Sequence, residues 1–409
     1  MKLFDELKWR GLIKDITSPD LEEKLNNGGM TFYIGTDPTA DSMHIGHYSS
    51  FLISKRLAKA GHHPLLLIGG ATGRIGDPKP TAEREIKSIE EIERNIEGLT
   101  KQANKIFGFE VVNNYDWSKD VNFIEFLRDY GKYFTVNYML DKDIIRRRLE
   151  TGITYTEFSY MIMQAFDFLH LYETKNCTLQ VAGSDQWGNI TAGVDLIKKK
   201  TGKEVYAFTM PLVLDSAGNK IGKSEGNALW LDINKTSSYE LYQYFINTDD
   251  ALCEQFLKVF TFLSPEEIMD IIKKHNEEPH LRLAQKTLAR EIITDLHGKS
   301  EYEKAVKISE CLFNGDIKSL DSKVIENVFK DVEHYEIEND INVVDLLVNS
   351  NVCSSKREAR EFLINGSITI NGEKITDMEF IISKSFAIDN KYIVIRRGKK
   401  KYFLIKFTI

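Results

Sequence analysis

The sequence predicts an α/β chain in three parts: a parallel sheet flanked by helices, a run of helices, and a small α+β unit. Three observations carry this. Short apolar runs alternate with helical patterns in the first half, strand signals stop after about Asp232, and strands return beyond Ile341. The 409 residues suffice for two to three domains of ~100–200 residues each. With 42% hydrophobic and 28% charged residues, the composition excludes global disorder.

Residues 31–35 (TFYIG) read as a strand, and 45–60 as a helix with Gly61 as its C-cap. Residues 65–68 (LLLI) are continuously apolar, as in a parallel strand buried on both faces. Strand, helix, strand in that order makes a βαβ unit. The pattern resumes with a helix over 158–172, a strand over 178–182 and a helix over 186–200. A further strand is expected over 205–214 (VYAFTMPLVL), where Pro211 interrupts it or marks an edge. Helices follow one another from 238 to about 312, broken at Asp249-Asp250, Ser264-Pro265 and Pro279. The acidic stretch 331–340 reads as a linker, and two short helices followed by strands come after it. The expected divisions are therefore 1–232, 233–330, the linker 331–340, and 341–409.

No apolar run approaches the ~18–20 residues of a membrane span, and the charged start MKLFDELKWRGLIKD lacks the apolar core of a signal peptide. Four cysteines (Cys177, Cys253, Cys311, Cys353) lie far apart without a CxxC pair, which excludes a zinc ribbon and argues against a disulfide scaffold. A reducing cytoplasm is the expected compartment. The net charge of −7 is unevenly spread: residues 391–409 hold seven Lys or Arg and no acid, while 331–345 hold six acids. The basic tail is a nucleic-acid contact or a solvated sheet face; charge alone leaves both open.

Three local patterns point to chemistry. The loop after the first strand runs from Thr36 to Met43, and His44-Ile45-Gly46-His47 opens the helix. Ligands of parallel sheets sit beyond strand carboxyl ends, where helix N-termini aim N–H groups at anions. His44 and His47, at i and i+3, can reach one phosphate-sized object, and Gly46 leaves room for a flat ring. They are helix caps or surface residues on the other reading. The second pattern is Lys220-Ile221-Gly222-Lys223-Ser224 within a loop punctuated by Gly218, Gly222 and Gly226. Lysines on flexible stems suit a phosphate chain, and a solvated turn is the alternative. Third, Tyr160, Gln164 and Asp167 form a polar helical stripe among Met161, Met163, Phe166 and Phe168. Such a stripe lines a pocket or faces solvent.

HIGH followed by a KxxKS loop on an α/β sheet resembles the motif pair of class I aminoacyl-tRNA synthetases, KIGKS standing for KMSKS. YIGTDPTADSMHIGH, GGATGRIGDP and YMIMQAFDFLHLYETKNCTLQVAGSDQWGNITAG narrow the resemblance to the bacterial-type tyrosyl-tRNA synthetases, over essentially the whole chain. The resemblance implies a Rossmann-like catalytic domain, a helical anticodon-binding domain over 233–330 and an S-four type RNA-binding domain over 341–409. It implies that Tyr33 and Asp167 bind the substrate phenol, that Tyr160, Gln164 and Asp77 hold its α-amino group, and that Gln180 and Gln186 line the same site. It places Asp37, Thr39, His44 and His47 near the phosphates and ribose of ATP, Gly183 and Asp185 on the ribose, and Lys220, Lys223 and Ser224 on pyrophosphate. Arg84 joins them, with Lys79 as the accompanying lysine. His44, His47, Thr39, Lys220 and Lys223 would be catalytic. Ile34 and Ser50 depart from polar contacts of some relatives, and 77–84 is one residue shorter.

The reaction implied is activation of tyrosine by ATP, with Mg²⁺ arriving on the nucleotide and no resident metal, then transfer to tRNA(Tyr). Residues 352–373 (VCSSKREAREFLINGSITINGE) resemble the S-four type domain, with Lys356, Arg357 and Arg360 on a basic helix face that follows phosphates. Relatives are homodimers, and 123–157 resembles their interface insertion; no membrane association is implied. Two other classes compete. A catalytically silent RNA-binding protein would not need HIGH, KIGKS, Asp77 and Asp167 together, and a small-molecule nucleotidyltransferase would not need the RNA-binding end. The tryptophanyl relative shares the architecture, and Asp167 with Tyr33 argues for a phenol over an indole.

Overall fold

The computed structural model describes residues 1–79, 85, 87–222, 228–330, 332–398 and 401–408. The chain forms two compact units, Met1–Thr236 with Thr248–Leu296, and Ser237–Asn247 with His297–Ile409.

The first unit holds five parallel strands, β1 (Thr31–Thr36), β2 (His63–Ile68), β3 (Glu110–Asn113), β4 (Cys177–Gly183) and β5 (Tyr206–Met210), in the order β3-β2-β1-β4-β5. The helices Ile45–Lys59, Ile89–Ile106 and Trp187–Thr201 connect successive strands, and Tyr155–Lys175 leads into β4. The sheet grows from β1 toward β3 and then, beside β1, toward β5. In a Rossmann-like sheet such a reversal opens a crevice beyond the carboxyl ends of the two central strands. Tyr33, Leu65 and Leu67 pack with Met161, Ala165, Phe168 and Leu196 on one face, so the wall of that crevice is also core.

Four expected strands are present with shifted ends. The fourth stops at Met210 rather than continuing to 214, because Pro211 cannot donate to the ladder. β3 carries no recognisable signal: its four residues (EVVN) are only partly buried at the sheet edge, too short for alternation to register.

The helical run expected as one domain over 233–330 is shared between the units. Asp250–Phe260, Pro265–Glu277 and nearly all of Leu283–His297 belong to the first. The tie is polar and buried. Arg56, 6% exposed, donates to the carbonyls of Val259 (2.9 Å) and Thr261 (2.6 Å), and Arg10, 2% exposed, to those of Lys258 (3.0 Å) and Leu263 (2.6 Å). The carbonyls of Lys258, Val259 and Thr261 end the Asp250–Phe260 helix, where cations are favoured, and Leu263 lies just beyond it. Burial, and then the neighbouring Arg10 cation, pull the Arg56 pKa down to about 9. Tyr48 and Lys55 add bonds to Asp295 at 2.8 and 2.7 Å.

The second unit contains β6 (His334–Ile337), β7 (Ile341–Asn342), β8 (Ile368–Ile370), β9 (Glu373–Lys374), β10 (Ile381–Ile382), β11 (Tyr392–Arg397) and β12 (Lys401–Phe407). The larger sheet has the order β6-β12-β11-β8-β9, and β7 pairs with β10. The acidic segment expected as a linker over 331–340 thus supplies an edge strand, β6, parallel to β12. Glu333, Glu336, Glu338 and Asp340 are exposed while Ile337 is buried opposite Phe407, so alternation was present within a charged stretch. Leu312, Ile317, Ile325 and Phe329 share an apolar cluster with Tyr392, Val394 and Leu404, joining the preceding helices to this sheet.

No helix among the described residues is long and apolar enough to cross a membrane. The four cysteines are free and buried. Replacing Arg56 with methionine leaves the Val259 and Thr261 carbonyls short of donors in a dry environment. Urea unfolding should show a loss of about 2–4 kcal/mol; a loss below ~0.5 kcal/mol would mean these bonds do not hold the Asp250–Phe260 helix to the Ile45–Lys59 helix.

Candidate active site

The cleft lies at the carboxyl ends of β1 and β4, where Tyr33 and Gln180 are register partners and therefore neighbours on one face. Both are buried at 2% exposure, and neither the Tyr33 hydroxyl nor Gln180 Oε1 has a hydrogen-bond partner among the described residues. Burial, followed by the charges of Asp167 and Cys177, holds the Tyr33 hydroxyl well above the ordinary tyrosine pKa. Two unpaired polar atoms at the bottom of an open cleft are costly unless a ligand completes them.

Asp167 is buried at 2% exposure. Its Oδ2 accepts from Asn114 Nδ2 and its Oδ1 from Trp117 Nε1, each at 2.9 Å. Burial pushes its pKa up to about 7, against the opposing pull of these two donors. From Asp167 a chain of hydrogen bonds runs along the cleft. Asn114 Nδ2 also donates to Thr72 Oγ1 (3.0 Å), Thr72 donates to Asp37 Oδ1 (2.7 Å), and the Tyr160 hydroxyl donates to Asp37 Oδ2 (2.9 Å). A Cβ on Gly69 would lie 2.1 Å from Asp37 Oδ1 and 2.3 Å from Thr72 Oγ1, so the glycine makes room for this chain.

A second carboxylate, Asp77, accepts from Gln186 Nε2 at 2.8 Å and Asn189 Nδ2 at 3.1 Å, and Asn189 also donates to Gln186 Oε1 at 2.9 Å. Gln164 lines the same cleft. Toward the mouth, Lys220 Nζ donates to Asp185 Oδ2 at 2.8 Å, both side chains being partly exposed, with Gly183 beside them.

His44 is the N-cap of the Ile45–Lys59 helix, and its Nδ1 accepts from the Gly46 N–H at 3.1 Å. His47 Nδ1 in turn accepts from the His44 N–H at 3.2 Å. The rings stack with centroids 3.9 Å apart. A ring whose Nδ1 accepts carries its proton on Nε2, so both present N–H donors away from the backbone. Capping and ligand contact, opposed readings from sequence, are compatible. Gly46 lines the cleft and also has close neighbours within the chain: a Cβ there would lie 2.8 Å from the Ile221 carbonyl and 2.9 Å from His44 Cε1. The glycine thus admits the Ile221 backbone as well. Backbone pairing of Ile45 with Leu229 and of Leu231 with Met43 holds the two motif regions together.

Tyr33, Asp37, Thr39, His44, His47, Asp77, Tyr160, Gln164, Asp167, Gln180, Gly183, Asp185, Gln186 and Lys220 thus come together in one cleft, as do the two departures Ile34 and Ser50. Asp37, expected beside ATP, has its carboxylate engaged by Tyr160 and Thr72. Lys79 is exposed. Arg84, Lys223 and Ser224 lie outside the described residues. Lys356, Arg357 and Arg360 are exposed on the helix Lys356–Ile364 of the second unit. Asn114, Trp117, Thr72 and Asn189 were missed. Asn113-Asn114-Tyr115-Asp116-Trp117 follows a strand too short to recognise, and Asn189 stands three residues after Gln186, where a shared face was readable.

A family model described as class I tRNA synthetases (W and Y) matches residues 25–314. A second, for the SYY-like C-terminal domain of tyrosine–tRNA ligases, matches 324–405. The tyrosine–tRNA ligase of Listeria welshimeri is 51% identical over 418 aligned residues, covering all of both chains. The chain belongs to the tyrosine–tRNA ligase family of class I tRNA synthetases. That of Streptococcus agalactiae is 50% identical with the same full coverage. Among solved structures, a C-terminally truncated mitochondrial tyrosyl-tRNA synthetase of Aspergillus nidulans is 33% identical at a TM-score of 0.68, covering 76% of this chain and 94% of that one. A tryptophanyl-tRNA synthetase of Encephalitozoon cuniculi shares the fold at a TM-score of 0.55 and 16% identity, covering 74% of this chain and 87% of that one.

The raised Asp167 pKa has a consequence for stability. A carboxyl titrating at about 7 when folded and ~3.9 when unfolded favours folding fully below pH ~4, and this advantage disappears as pH rises toward 7. Between pH 4 and 8, the stability of the protein relative to Asp167→Asn should therefore fall, by something on the order of 3 kcal/mol. Parallel curves for the two proteins would show that Asp167 does not titrate in this range.

Proposed function

We propose that the chain activates L-tyrosine with ATP to tyrosyl-adenylate, releasing pyrophosphate, and then transfers tyrosine to the 3′ end of tRNA(Tyr). The observation that carries the choice of amino acid is the unpartnered Tyr33 hydroxyl in the cleft that also holds the buried Asp167 carboxylate. A phenol donates to Asp167 and accepts from Tyr33, completing both groups at once. An indole offers no acceptor for the Tyr33 hydroxyl, and a phenyl ring offers neither. Asp77, Tyr160 and Gln164 would receive the ammonium group.

The substrate carboxylate attacks the α-phosphorus in line, forming the mixed anhydride as the bond to pyrophosphate breaks and its electrons leave with that group. The carboxylate is already a nucleophile, so the protein contributes orientation and charge stabilisation. The Nε2–H groups of His44 and His47, with Thr39, face the phosphates; Lys220, Lys223, Ser224 and Arg84 receive the departing pyrophosphate. Asp185 and Gly183 take the ribose, so Lys220 exchanges Asp185 for phosphate as ATP enters. Mg²⁺ comes with the nucleotide. A tRNA 3′-terminal hydroxyl then attacks the acyl carbon and AMP departs.

The second unit would hold tRNA, which its exposed Lys356, Arg357 and Arg360 support. A homodimer is supported by apolar side chains exposed on 123–157: Phe123 at 67%, Ile124 at 73% and Val136 at 61%. Four free, buried cysteines accord with the cytoplasm.

ATP–pyrophosphate exchange should be strong with tyrosine and near background with tryptophan and phenylalanine; preference for tryptophan would overturn the assignment. If Asp167 must be ionised to accept the phenol, the tyrosine KM should fall roughly tenfold from pH 6 to 8, and this trend should vanish in Asp167→Asn. Replacing Lys356, Arg357 and Arg360 together by alanine should weaken tRNA charging at least ~10-fold at 150 mM salt and flatten its salt dependence, leaving exchange unchanged. Unaltered charging would remove this helix from the RNA contact.

A further inference from the structure

Arg148 belongs to none of the motifs, yet it is among the most buried charged groups in the first unit. Its side chain is 4% exposed and that of its counterion Glu157 is 2% exposed, with Nη2 donating to Glu157 Oε2 at 2.9 Å. Nε donates to the Gly152 carbonyl at 3.1 Å and Nη1 to the Lys79 carbonyl at 2.9 Å. A buried ion pair is expensive to desolvate and survives only where its remaining donors are also engaged.

The two ends of this arrangement lead to stretches that carry cleft residues. Glu157 stands in the first turn of the Tyr155–Lys175 helix, which carries Tyr160, Gln164 and Asp167. Lys79 lies two residues beyond Asp77. The sequence there is Asp77-Pro78-Lys79-Pro80, and its two prolines have no backbone N–H. With two of its four N–H groups missing, this stretch depends more on its carbonyls, which need a donor from elsewhere. The planar guanidinium supplies one to Lys79 while holding the helix with another of its N–H groups.

We propose that Arg148 is a positioning residue for the α-amino end of the amino-acid site. It clamps the Asp77 loop to the helix of Tyr160 and Gln164, so that carboxylate, phenol and amide converge on one ammonium group. The proposal rests on reading Asp77 as an ammonium acceptor. It predicts a defect confined to that end, because Asp167 is held by Asn114 and Trp117 and Tyr33 by its place in β1.

Calorimetry on the full-length protein would compare L-tyrosine with 3-(4-hydroxyphenyl)propanoate, which keeps the phenol and lacks the amine. In Arg148→Lys, which retains the charge beside Glu157 but not the fork, tyrosine should bind roughly tenfold more weakly and the propanoate within about twofold of the parent. In an Asp77→Asn background the same change should weaken tyrosine no further. The charge-neutral double variant R148Q/E157Q leaves no buried ion unpaired, and should show the same selective loss if R148K does not fold. Equal loss of both ligands would make Arg148 a structural residue only, and loss of neither would make it dispensable; either result overturns the proposal. A parent that binds the propanoate as tightly as tyrosine would instead overturn the reading of Asp77.

Discussion

A carboxyl group buried at 2% exposure is the constraint around which the rest of the cleft is organised. Ionised and unpaired, Asp167 would be intolerable there; protonated, it would be a poorer acceptor for a ligand hydroxyl. The fold meets this with two N–H donors, Asn114 and Trp117, from the segment after the edge strand β3. A minor-looking edge strand therefore matters beyond its four residues. It delivers two donors to the middle of the Tyr155–Lys175 helix, which leads into β4 on the other side of β1. The opposing influences leave the group titrating at about 7, available to either protonation state.

The catalytic sheet was legible because its strands are apolar and its helices long, and the motif residues because they stand at loops following strands. What escaped notice shares a physical cause. β3 lacks the length to show a period, and Asn114 and Trp117 inherit that invisibility. β6 hid within an acidic run, since charge density spoke louder than a two-residue alternation. The division of the helical run depends on Arg10 and Arg56, whose carbonyl partners lie some 200 to 250 residues away in sequence. No local pattern announces a guanidinium that will end another helix. By contrast, the polar stripe of Tyr160 and Asp167 was visible, and only its direction was undecided.

His44 and His47 combine two duties usually assigned to different residues. Each ring is oriented by a backbone N–H, so the helix start that needs capping also fixes the tautomer offered outward. Preorganisation of this kind spends no further side-chain entropy when a ligand arrives. The close approach of Gly46 to the Ile221 carbonyl sets the same helix start against the base of the KIGKS loop.

The hydrogen-bond chain from Tyr160 through Asp37, Thr72 and Asn114 to Asp167 draws on four separate stretches of sequence. Each member is donor to one neighbour or acceptor from another, so exchanging any single residue strands the next. Such positions are expected to change in sets rather than singly, and their free energies of substitution will not add. For anyone recasting this cleft to accept an unnatural aromatic amino acid, the unit of redesign is accordingly the whole chain. Directed libraries that randomise Asp167 alone would sample mostly broken networks; those that vary Asp37, Thr72, Asn114 and Asp167 together could reach a different, equally complete one.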